Sequence, residues 1–125
     1  MIKLENKTAK SVTSALNTLI TSFGKLRTKV FKSITADNGS EFATLSQDLP
    51  NIDIYYCHPY SSFERGINEK QNSMVRRFIP KGKSLEEVSD TTIDFITDWI
   101  NHFPRKIFNY ETSSERFNHE LNSLI

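Results

Sequence analysis

The chain has 125 residues, 37% of them hydrophobic and 25% charged, with a formal net charge of +1. That length allows one domain with a modest core rather than two, and nine Phe, four Tyr and one Trp exclude wholesale disorder. The near-neutral balance excludes a general electrostatic attraction to nucleic acid, so any such role must come from local clusters. The single cysteine, Cys57, rules out a disulfide framework within the chain. His58, His102 and His119 stand too far apart for a zinc site. No apolar run approaches the ~18 residues of a membrane span, and no apolar stretch follows the N-terminal charges. The expectation is a cytoplasmic protein with no membrane segment.

Ile2 to Leu4 read as the end of a strand. Val12, Ala15, Leu16, Leu19, Ile20 and Phe23 then form one apolar stripe at helical spacing, with Thr8 as N-cap and Gly24 as stop. Lys25, Arg27, Lys29 and Lys32 make a basic stretch that runs into a β-branched and aromatic strand over Val30 to Ala36. Asp37-Asn38-Gly39-Ser40 is turn chemistry. Phe42, Leu45 and Leu49 predict a short helix that Pro50 ends. Ile52, Ile54 and Tyr56 alternate with Asp53, Tyr55 and Cys57 as a second strand.

An irregular loop over 58–66 precedes a helix over Asn68 to Ile79, ended by Pro80-Lys81-Gly82. A further helix starts at Asp90 or Thr91 with Ile93, Ile96, Trp99, Ile100 and Phe103 on one stripe, closed by Pro104. A last one starts near Ser113 or Ser114 and carries Phe117, Leu121 and Leu124. Strands alternating with helices predict an α/β layer fold with a largely parallel sheet. Two strands make a poor sheet, so strands are missing or borrowed from a partner.

Two carboxylates can carry chemistry. Asp37 falls at the carboxyl end of a predicted strand, where sites in open α/β sheets lie. The small Asn38-Gly39 pair lets backbone approach a ligand. The alternative is an ordinary turn. Glu69 opens a polar helical face shared with Asn72, Ser73 and Arg76, while Met74 and Phe78 on the other side can pack on the sheet. The alternative there is a solvated face with an acid in the first turn. Two converging carboxylates suit Mg²⁺, a hard ion that takes oxygen ligands. Two such metals about 4 Å apart can activate a nucleophile and stabilise a leaving oxygen in phosphodiester cleavage.

Three stretches together resemble the integrase-core signature of bacterial insertion-sequence transposases of the IS-thirty type. They are Asp37 to Phe42, the run His58-Pro59-Tyr60-Ser61-Ser62-Phe63-Glu64-Arg65-Gly66-Ile67-Asn68-Glu69, and Phe78-Ile79-Pro80-Lys81-Gly82. Asn101 to Lys106 and Tyr110-Glu111-Thr112 resemble that family's C-terminal motifs. The resemblance implies an RNase H-like (integrase core) fold, here N-terminally truncated, with helices packed on a partial mixed sheet. It implies one partial domain over 1–125, with the sheet and active-site portion in 1–80 and C-terminal helices in 81–125.

It further implies an Asp, Asp, Glu triad holding two Mg²⁺ or Mn²⁺ ions for DNA cleavage and strand transfer in transposition. Asp37 matches the second Asp and Glu69, 69 − 37 = 32 positions on, matches the Glu. Glu64 precedes the loop Gly and is set aside. Phe63 stands for a usual Trp, Phe103 for an Arg and Ser113 for a Pro. The first Asp has no counterpart, since only Glu5 is acidic before Asp37. The chain is therefore expected to be inactive alone. The alternative function is a non-catalytic truncated transposase that binds DNA or dimerises and modulates the full-length enzyme. Asn38, Arg65, Lys70, Asn72 and Arg76 are the candidate DNA contacts, and His58 and Tyr60 the candidate loop-orienting residues. Expected partners are transposon ends and target DNA, and a second copy or a full-length transposase.

Overall fold

A computed structural model of the chain describes residues 1–58 and 66–125, with the side chains at 67 and 68 left aside. Among the described residues the architecture is α/β, with six α-helices and one two-stranded parallel sheet. The chain divides into two compact units, Leu4–Arg65 and Met1–Lys3 with Gly66–Ile125.

The first unit, Leu4–Arg65, opens with α1 (Ala9–Ser22). Thr8 caps it as its side chain accepts from the Ser11 N–H, and Gly24, at φ 53°, lets the chain leave it. The basic stretch is not a strand lead-in. It forms a second short helix, α2 (Arg27–Val30), with Phe31 packed edge-on against Phe23 at 5.1 Å. Strand β1 is thus shorter than its β-branched run, Ser33–Ala36. After a 3₁₀ turn, Ser40–Phe42, comes α3 (Leu45–Asp48), then β2 (Asp53–Tyr56). β1 and β2 pair in parallel with Ile34 opposite Ile54. Val12, Ala36, Leu45 and Leu49 form the buried core, joined by Leu16, Ile20, Ile34, Phe42, Ile52 and Ile54. The helical stripe and the inner face of the two strands therefore meet where their periods place them. Leu19 and Tyr56 are exceptions, both exposed. Tyr56 donates its hydroxyl to the Phe42 carbonyl at 2.7 Å, while Cys57 is buried.

The second unit is helical. It holds α4 (Gly66–Arg76), α5 (Asp90–Asn101) and α6 (Ser113–Ser123). α4 ends three residues before the expected Ile79, because Arg77 to Ile79 fold back in turns onto Met74 and Val75. Ser89 caps α5, and Thr112 with Glu115 makes a full capping box on α6. The core is Met74, Ile79, Val88, Ile93, Ile96 and Ile100, with Val75, Phe78 and Trp99 against it. Met74 and Phe78 thus pack against α5. Val88, brought in by a 3₁₀ turn over Leu85–Glu87, is a core residue that periodicity did not mark.

Ile2 to Leu4 form no strand and are exposed. Phe117 is also exposed rather than core.

Candidate active site

Asp37 leaves the carboxyl end of β1, half-buried. Its Oδ1 accepts from the Gly39 N–H at 2.9 Å, which closes the Asp-Asn-Gly turn. Asn38 Nδ2 donates to the Cys57 carbonyl at 2.7 Å, just past the end of β2. The next rung, from the Cys57 N–H to the Ala36 carbonyl, is 2.9 Å. The turn is thereby tied to the carboxyl ends of both parallel strands. Asn38, a candidate DNA contact by sequence, commits its amide nitrogen to this tie.

Gly39 has φ −62° and ψ 143°, a conformation open to any residue. Space rather than backbone geometry requires glycine. A Cβ there would lie 2.6 Å from Glu41 Oε2, 2.8 Å from Glu41 Cδ and 2.9 Å from Asp37 Oδ1. Two carboxylates therefore converge on the face that a side chain would fill. The Glu41 side chain is only 14% exposed, and its Oε1 lies 3.7 Å from Lys7 Nζ. Its Oε2 is buried without a hydrogen-bond partner among the described residues. A buried carboxylate oxygen left unsatisfied is costly. A hard divalent cation would satisfy it, and the all-oxygen donor set here suits Mg²⁺ or Mn²⁺. Among the described residues no group of three or more His, Cys, Asp or Glu stands together at metal-holding distances.

Glu41 was not marked as a site residue by sequence reasoning. The signal available was its place in the Asp37 to Phe42 stretch, two residues after Gly39.

Glu69 lies in the first turn of α4 and is exposed, as are Lys70, Asn72, Ser73 and Arg76. The polar face predicted from their spacing faces solvent. Arg76 Nη1 reaches the Ile79 carbonyl only at 3.5 Å, the outer limit of a hydrogen bond. His58 is exposed. Tyr60, Glu64 and Arg65 lie outside the described residues.

No protein-family model matches the chain. Curated relatives do. Over 86 residues it is 48% identical to a probable transposase of the insertion-like element IS1161 of Streptococcus salivarius, covering 69% of this chain and 25% of the relative. It is 44% identical over 92 residues to the transposase of IS4351 of Bacteroides fragilis, 72% of this chain and 28% of the relative. It is 31% identical over 117 residues to transposase InsI of IS30A of Escherichia coli, 92% of this chain and 30% of the relative. These relatives define a class, the transposases of bacterial insertion sequences. Within that class the chain belongs to the IS30 family. It spans about a quarter to a third of the length of the relatives it matches.

Proposed function

We propose that this chain is part of the catalytic core of an insertion-sequence transposase, a metal-dependent enzyme of DNA integration and DNA recombination. The observation that carries the reading is the Asp37 turn. A carboxylate at the ends of two parallel strands shares the open face of Gly39 with a buried, unsatisfied carboxylate oxygen of Glu41. The parallel β-pair with an intervening helix supports an RNase H-like fold. Asp37 and Glu69 are metal-binding carboxylates in this reading, and bound Mg²⁺ or Mn²⁺ would activate the attacking oxygen and neutralise charge on the leaving one.

The chain's own residues do the rest. The Gly39 N–H holds Asp37 Oδ1, and Asn38 pins the turn so that the carboxylate keeps its aim. Lys70 and Arg76, exposed on α4 beside Glu69, supply phosphate contacts, which position DNA without reading sequence. Asn72 on the same face is a further DNA contact in this reading, as is Arg65, and His58 and Tyr60 are its loop-orienting residues. The DNA partners are transposon ends and target, acting in the bacterial cytoplasm. No helix among the described residues is long and apolar enough to cross a membrane.

The test is a Mn²⁺ titration of the chain and of its Asp37→Asn and Glu69→Gln variants, alongside cleavage of a labelled terminal repeat. Both substitutions are expected to weaken Mn²⁺ binding by at least about tenfold, since each removes an anionic ligand. Unchanged binding in both variants would refute the metal assignment. Binding without cleavage would favour the non-catalytic, modulating role for this chain.

A further inference from the structure

The C-terminal motif residues Arg105 and Tyr110-Glu111-Thr112 have no part in the chemistry described so far. We infer that Arg105 is a positioning residue for Glu69, acting through Gln71 on α4; the inference rests on the metal-ligand reading of Glu69.

The contact is specific. With its amide turned so that donors meet an acceptor, Gln71 Oε1 accepts from Arg105 Nη1 and Nη2, each at 2.9 Å. Both residues are half-buried. Gln71 is two residues from Glu69, about 200° around the helix, so the clamp grips the side opposite the carboxylate.

The clamp matters because little else among the described side chains holds this end of α4. From Glu69 to Ser73, Gln71 is the one side chain that is not exposed. The first buried apolar residue described on the helix is Met74, more than a turn after Glu69. Rotation or fraying of the first two turns would swing Glu69, and the Arg105–Gln71 pair is the described contact that opposes it.

Arg105 itself is firmly seated. Its N–H donates to the Glu111 carbonyl at 3.1 Å, and its own carbonyl accepts from Phe108 at 3.0 Å and Tyr110 at 2.8 Å. Pro104 and Thr112 close the stem as an antiparallel bridge. The tip turns through left-handed conformations at Asn109 (φ 53°) and Tyr110 (φ 68°), uncommon for residues with a Cβ. A strained loop closed by several backbone hydrogen bonds thus delivers the guanidinium from the connection between α5 and α6. Both C-terminal motifs acquire one task, which is to hold the catalytic helix by its inner face.

The test uses the whole chain and two readouts. The first is hydrogen exchange of the α4 amides of Lys70 to Ser73, and the second is Mn²⁺ affinity. Arg105→Lys keeps the charge and loses the fork, and Gln71→Met keeps the shape and loses the acceptor. Each is expected to speed exchange at Lys70 to Ser73 by about tenfold, the scale of one charge-assisted hydrogen bond. Each should weaken Mn²⁺ binding several-fold while leaving exchange at Ile96 to Ile100 unchanged. Gln71→Glu, which offers the guanidinium a carboxylate, should preserve both. Wild-type exchange in Arg105→Lys and Gln71→Met would overturn the inference. So would unchanged Mn²⁺ affinity in them while Glu69→Gln loses it. If Glu69→Gln itself leaves Mn²⁺ affinity intact, the metal reading fails, and the positioning of Glu69 for metal falls with it even where the exchange data uphold the clamp.

Discussion

Gly39→Ala isolates one structural claim, that two carboxylates occupy the space beside Gly39. At φ −62° and ψ 143° an alanine fits the backbone. Elsewhere such a change would stabilise by about 0.4–1 kcal/mol, because it narrows the unfolded ensemble. Here the new Cβ would meet Glu41 Oε2 at 2.6 Å and Cδ at 2.8 Å. Glu41 is only 14% exposed, so relief requires moving the end of a mostly buried side chain. Overpacking of this kind costs about 1–3 kcal/mol, so the net expectation is a loss of about 1–2 kcal/mol. In urea unfolding followed by circular dichroism, the midpoint should fall by about 0.5–1 M with the slope unchanged. In a Glu41→Ala background the two closest contacts are gone and only Asp37 Oδ1, at 2.9 Å, stands in the way, so the same substitution should cost less. That drop in cost is the diagnostic result. Equal cost in both backgrounds, or a stabilised single variant, would refute the convergence of the two carboxylates on Gly39. Gly39→Ala should also weaken Mn²⁺ binding, since it displaces both candidate ligands of this turn.

Two further predictions concern the framework. Thr112→Ala removes the hydroxyl that accepts from the Glu115 N–H at 3.1 Å, and should destabilise the chain by about 1 kcal/mol in chemical denaturation. The backbone N–H of Thr112 and then its hydroxyl hydrogen bond hold the Glu115 carboxyl below its ordinary value of 4.5. A depressed carboxyl stabilises fully above that ordinary value and loses its effect as pH falls through the lowered folded value. Stability followed from pH 6 to pH 3 should therefore drop in the parent, and less steeply in Glu115→Gln. The outer edges of the β1–β2 pair have no partner strand among the described residues, and such edges favour self-association. Size-exclusion chromatography is expected to show concentration-dependent oligomers, and a clean monomer at high concentration would count against this.

Much of the local structure was legible in the amino-acid order alone. The α1 stripe, the Thr8 cap, the Gly24 stop and the start of α5 follow from side-chain period and from which groups can satisfy helix ends. Those causes act over a few residues. The Asp37 turn was legible for the same reason, and the exposed face of α4 followed from spacing. What lay beyond reach depends on which distant surfaces meet. Met74 and Phe78 turned out to pack on α5, because apolar period marks a buried side but not its partner. Val30 and Phe31 left their β-branched run for a helical turn in which Phe31 packs on Phe23, a tertiary preference over propensity. The grip of Arg105 on Gln71 exists only once the chain brings those distant residues together. The sequence by itself determined the family, the two candidate carboxylates and most helices. Only the tertiary structure decided what ties the Asp37 turn to the end of β2 and what meets Gln71 on α4, because those contacts join residues far apart along the chain.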